Sequence, residues 1–410
     1  MKPFRLFLFT LAAACGLALS ECTRNSPYQT ADPGSPVEWS SFSAKIFAAV
    51  AEDRADANTV VSPVSIWALT ALLAEASAGE TAEEVEALLG TQKGINAALP
   101  RRYFAVRNTL AEDAGGELSW FDGFFYDPAR IEIRSEFLRT LLHGYRGNYL
   151  AQDFDDPESA ETINKRVKAA SGDHIEGVID GIPAETAAFL LNVIYFKADW
   201  EHPFDEDLTR PAPFTTGSGA SAEVPMMRTD ARINVMRAEG YTAAELFFAD
   251  SSFSLIVVRP DRFDPAAVPD HEAVLNAVMR ATFAPERIDL QMPRLSLEFG
   301  ESLIPAMKRL GVLKIFNEAE ADLSSVGKAL TGRNLHVDLL RHDAVLKIDE
   351  RGAEGAAATT AGISATSLPP SVVFDVPYHA VLRHRDTGIP VFAAYVNDPR
   401  EEGEIDPLRR

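Results

Sequence analysis

Eight histidines are the natural starting point for catalysis in this chain of 410 residues, and they are scattered. None stands with another at the helical or turn spacing of a metal-ligand pair, so no metal or cofactor is expected. No His-Glu-x-x-His, phosphate-binding loop or Gly-x-Ser-x-Gly elbow occurs. Gly217-Ser218-Gly219-Ala220-Ser221-Ala222 superficially matches a dinucleotide fingerprint. It lies between Phe214 and Met226 with no helix after it, and so reads as a hairpin turn. A Ser-His-Asp triad built from distant positions stays open, because geometry defines such a triad. The most unusual stretch is Glu350 to Ser367, where from Gly355 onward no residue is charged and almost all are small. Such composition suits an exposed loop or linker. Thr359, Thr360 and Ile363 also favour strands, and small residues fit between closely packed strands. Two readings follow: a loop outside a sheet, or a strand within one.

The elements around this stretch alternate between helix and strand signals. Ala344 to Asp349 before it and Val372 to Val376 after it read as strands. Phe42, Ile46, Phe47 and Val50 recur at helical spacing. Val60-Val61 is a short strand, and Ser62-Pro63 is a helix start, with the hydroxyl as N-cap and proline in the first turn. The helix from Pro63 to Ser77 is apolar on most sides and should be buried. Thr81 and Glu84 read as a capping box for a short helix ending at Gly90. Leu118 to Tyr126 reads as a strand and Ser159 to Ala170 as an amphipathic helix. Ala187 to Phe196 is an almost continuous apolar run, the pattern of a strand buried on both faces. Met226-Met227 and Ile233 to Met236 read as one hairpin, and Leu246 to Phe248 with Phe253 to Val258 as another. His271 to Thr282 and Ser302 to Leu310 read as helices, the second stopped by Gly311. Ala380 to Arg383 and Val391 to Val396 form a terminal hairpin around Asp386-Thr387-Gly388. The fold class is α+β.

Composition is globular, with 46% hydrophobic residues, and no internal repeat or long linker divides residues 40 to 340. One large domain over 39–400 is expected, as a monomer, with a polar tail at 401–410. The net charge of −21 disfavours nucleic acid or a heparin-like polyanion as partner. Residues 1–22 read as an export leader: a basic start, then an apolar run from Leu6 to Ala14 too short to span a membrane. Leu11 to Gly16 resembles a lipoprotein box with Cys15 as the lipidated residue. Leu19 to Cys22 is a poorer box, and an ordinary signal cut after Ser20 is the alternative. Residues 23–38 are polar and proline-containing, and read as a disordered tether. The expected location is extracytoplasmic, with any membrane contact through a lipid anchor. Both cysteines lie in the leader, so the body cannot depend on an internal disulfide.

Several motifs in order resemble the serpin (serine protease inhibitor) family, in a bacterial secreted or lipoprotein form. Ser62 to Ile66 is similar to the start of its second helix. Phe189 to Trp200 with Pro203-Phe204 resembles its central strand, Asp343 to Gly352 the approach to its reactive-centre loop, and Phe392 to Pro399 its C-terminal strand. The resemblance implies three β-sheets, eight or nine helices and an exposed loop at 350–370. It also implies a mechanism: the protease cuts the loop, forms an acyl-enzyme, and is distorted when the cut loop inserts into the main sheet. Matching loop length to the family places the scissile bond at Thr366-Ser367, open to a slip of one or two residues, and Pro369-Pro370 supports that frame. The hinge is Glu350, Gly352, Ala353, Glu354, Gly355, Ala356, Ala357, Ala358 and Thr359. In the family's register Ala353, Gly355, Ala357 and Thr359 face inward and Glu354 outward. Ser62, Ser65, Asn192 and His342 match a polar shutter beneath the central strands, and Trp200 the breach where the loop enters. Thr366, small and neutral, suits a shallow elastase-like pocket, and some subtilisin-like or papain-like cysteine proteases would also accept it. A non-inhibitory, binding or chaperone-like serpin and a secreted hydrolase are the competing readings.

Overall fold

The computed structural model describes residues 32–90, 98–114, 117–145, 148–170, 178–249, 252–353 and 369–400. The leader with Cys15, the hinge from Glu354 to Thr359, the bond Thr366-Ser367 and the tail 401–410 lie outside these residues. Among the described residues there are eight α-helices and three β-sheets, an α+β architecture.

The main sheet is built on the apolar run anticipated as its centre. The central strand, Ala188–Asp199, pairs antiparallel with Glu117–Tyr126 on one side and parallel with the approach strand, Leu340–Ile348, on the other. Leu295–Ser302 and Asn148–Ala151 close the two edges. Alternation puts successive side chains on opposite faces. Leu190, Ile194 and Phe196 join the large core, where the helix Pro63–Ala76 is buried. Phe189, Leu191 and Val193 join a second core with Ile163 and Val167 of the helix Glu158–Ala170. Both faces are covered, which is why the run is apolar nearly throughout.

The second sheet has nine strands and carries the terminal hairpin, Tyr378–His384 with Pro390–Val396, as expected. One expectation fails there. Met226-Met227 and Ile233 to Met236 are not two arms of a hairpin but parts of one strand, Ser221–Ala238. The polar stretch Arg228 to Arg232 looks like a turn in sequence, yet each of its residues pairs with Ala284–Pro293. The capping box also fails. The helix Gly79–Leu88 starts before Thr81, with no side-chain cap. Thr81 Oγ1 accepts instead from the Asp322 amide, and the Glu84 carboxylate accepts from the amides of Leu313 and Lys314. Helix Pro36–Ala51 begins inside the stretch read as tether, with a true capping box between Ser35 and Glu38.

Candidate functional site

The seam between the central and approach strands organises the site. They pair in parallel from Leu340–Leu190 to Val345–Tyr195, six residue pairs in all. Beyond that the approach strand ends in a tight turn. The Asp349 carboxylate accepts from the amides of Arg351 and Gly352, and the Asp349 amide donates to Gly352 O. The chain thereby reverses, and Gly352–Ala353 pairs antiparallel with Asp199 and Ala198 of the central strand. Gly352 has φ +153, and a Cβ there would lie 2.0 Å from Ala198 O, so only glycine fits. Ala353 is fully buried.

Hydrogen bonds from Trp200, Phe204, Arg294 and Thr209 hold this turn. Trp200 donates its backbone amide to Arg351 O at 2.7 Å and its indole Nε1 to Asp349 O at 3.0 Å, and its ring stacks on Phe248 at 4.5 Å. The Phe204 amide donates to Glu350 O. The Glu350 side chain, 4% exposed, accepts from Arg294 Nε at 2.8 Å and from Thr209 Oγ1. Burial pushes its pKa up, but the hydrogen bonds from Arg294 and Thr209 outweigh burial, and the net shift is downward. Arg294 and Thr209 escape a sequence reading, because nothing in their spacing links them to Glu350.

The residues matched to a shutter also come together, about seven residues or roughly 23 Å down the same strand. Asn192 and His342 face each other across the seam. The Ser62 amide donates to His342 Nε2 at 3.0 Å, so Nδ1 carries the proton and donates to Asn192 Oδ1 at 3.3 Å. Ser65 departs from the expected cluster. Its amide donates to Ser62 Oγ, while its own buried hydroxyl has no hydrogen-bond partner among the described residues. A further member was not anticipated: Asn192 Nδ2 donates to Asp122 Oδ1 at 2.6 Å. Asp122 sits with Trp120 and Phe124 on the face of its strand that joins the large core. A lone carboxylate in that alternation is the signal that could have found it.

Burial holds His342 neutral and lowers its pKa from 6.5 to about 3. Its Nε2 is an acceptor, so protonation removes the bond from Ser62. A folded pKa below the unfolded one means that the unfolded chain takes up the proton first. The stabilisation is complete above pH 6.5 and is lost as pH falls from there toward about 3. Denaturant midpoints should therefore fall between pH 6.5 and 4, and His342→Gln should flatten that slope. An unchanged slope in the variant would contradict this assignment.

This geometry can be compared with known proteins. The family model described as serpin (serine protease inhibitor) matches residues 38–399. Serpin A3-3 of Bos taurus is 30% identical over 378 residues, covering 88% of this chain and 88% of that protein. Alpha-1-antitrypsin 1-4 of Mus musculus is 28% identical, covering 87% of each. Among solved structures, the thermophilic serpin tengpin in its native state superposes with a TM-score of 0.80 at 20% identity, covering 88% of this chain and 94% of that one. At that identity the likeness bears on the fold alone.

Proposed function

The chain belongs to the serpin family of serine protease inhibitors, and on that premise we propose that it traps its target by inserting the cut loop between the central and approach strands. One observation carries the reading. Gly352–Ala353 already runs antiparallel to the central strand at the head of the seam, the direction an inserted strand would take. The turn that reverses the chain is already made, so insertion needs no new bend. It needs the six parallel pairs below to part.

The energetics favour the exchange. Roughly 12–14 inserted residues, each gaining about 1 kcal/mol net from a ladder bond, would release on the order of 10 kcal/mol. Gly355 costs about 0.5–1 kcal/mol relative to an alanine in an inserted strand. That slows insertion without preventing it. Some protease then deacylates and escapes, so titration is expected to need more than one inhibitor per protease.

Target choice follows from Thr366. A small neutral side chain leaves a trypsin-type carboxylate unpaired and a chymotrypsin-type pocket unfilled, and it suits a shallow elastase-like one. The test is to titrate the protein and its Thr366→Arg variant against an elastase and a trypsin. The wild type should inhibit the elastase, and the variant should shift to trypsin by at least about 100-fold in association rate, since an arginine can pair with that carboxylate. Unchanged specificity would place the scissile bond elsewhere. Cleavage without inhibition by either form would favour the non-inhibitory, binding or chaperone-like reading.

A further inference from the structure

The hydrogen bonds around Asn192 share one polarity, and its source lies outside the seam. Asp122 accepts from Asn192 Nδ2 on one oxygen. On the other it accepts from the Tyr103 hydroxyl and from Arg107 Nη1, the latter at 3.3 Å. Tyr103 and Arg107 belong to the helix Leu99–Glu112, and Arg107 also donates to Tyr103 Oη at 2.7 Å and to Trp120 O at 2.8 Å. A carboxylate only accepts, so Asn192 must turn its NH2 toward Asp122 and its Oδ1 toward the seam. His342 must then donate from Nδ1 and accept at Nε2, as it does from the Ser62 amide. Every donor from Ser62 to Asn192 points toward Asp122, and Arg107 supplies the balancing charge from the opposite side.

Resting on the insertion reading above, we propose that Asp122 is a positioning residue for sheet opening: with its charge balanced by Arg107, it clamps Asn192 in the orientation that holds His342, and so keeps the seam closed until the loop is cut. The seam bond is Asn192–His342, and inserting a strand there must break it. The clamp joins Asn192 to Glu117–Tyr126 and to the helix Leu99–Glu112, which stay on one side of the seam. An asparagine at 122 could donate as readily as accept. It would leave the Asn192 amide free to turn over and the seam bond unspecified.

The test avoids any protease. A synthetic peptide of residues 353–366 is incubated with the full chain, and its uptake into the sheet is followed by the rise in melting temperature. The variants are Asp122→Asn and the double Arg107→Met/Asp122→Asn. The double variant leaves no unpaired buried charge and serves if the single one does not fold. Tyr103→Phe is the control, because it removes one bond to Asp122 without changing the polarity at Asn192. The expected result is peptide uptake about tenfold faster in the Asp122 variants, the factor for losing one hydrogen bond to a charged group. Tyr103→Phe should lower the melting temperature and leave the uptake rate near wild type. If the wild type takes up peptide but the Asp122 variants do so at the same rate, the role of Asp122 is overturned and the insertion reading stands. If the wild type takes up none, the insertion reading falls, and this proposal with it.

Discussion

Replacing Ala353 by arginine is expected to turn the inhibitor into a substrate. Ala353 is fully buried and pairs with Ala198 at the head of the seam, so it is the first inward-facing residue that an inserting loop commits. A guanidinium there must either lie unpaired in the sheet, at a cost of several kcal/mol, or hold the hinge out of the seam. Trapping is a race between insertion and deacylation. Even about 3 kcal/mol added to the insertion barrier slows that step by roughly 100-fold, and deacylation then wins. With an elastase, Ala353→Arg should be cut at the wild-type rate and yield less than about a tenth of the wild-type covalent complex. The native melting temperature should fall too, because Ala353 is already buried before the loop is cut, so the complex yield is compared per folded molecule. Undiminished complex would show that position 353 does not enter the sheet.

The second large effect is expected at Glu350. Its side chain, 4% exposed, is held by Arg294 with contacts of 2.7 to 2.9 Å and by Thr209. Breaking a fully buried ion pair from one side costs about 3–5 kcal/mol, and the cost here is smaller because the Arg294 side chain is 48% exposed. Glu350→Lys breaks the pair and sets a second cation against Arg294. The turn that closes the head of the seam loses its side-chain anchor, although Trp200 and Phe204 still bind its backbone. Opening there exposes two unpaired strand edges, which the loop of another copy can pair with. Glu350→Lys should melt several degrees lower and form soluble oligomers when held for hours just below its melting temperature. The reversed pair, Glu350→Arg with Arg294→Glu, should recover most of both losses. Monomer that persists in Glu350→Lys, with unchanged melting, would contradict the assignment of Arg294 as the anchor.

Parts of this site were legible in the chain itself. The run Phe189 to Phe196 is apolar because both faces of the strand are covered, and Asn192 stands out within it for that reason. The Ser62-Pro63 start survives because an N-cap is a local arrangement, made with the Ser65 amide three residues on. What failed was local chemistry redirected by tertiary partners. Thr81 and Glu84 have the spacing of a capping box, yet their oxygens serve amides more than 200 residues away. Arg228 to Arg232 looks like a turn, but cross-strand pairs Arg228–Asp289 and Asp230–Arg287 place those charges on one long strand. The Arg294–Glu350 anchor spans 56 positions with no periodic signal. The clamp at Asp122 was within reach, since a single carboxylate on a buried strand face demands a partner.

The measurement that bears most directly on the mechanism is a denaturing gel of the protein mixed with an elastase, read together with the melting temperature of the cleaved body. Trapping predicts a covalent complex that survives boiling in detergent, a released peptide beginning at Ser367, and a large rise in melting temperature of the cut form. Complete cleavage with no complex, and a cut body that melts like the native one, would show that the loop does not enter the seam.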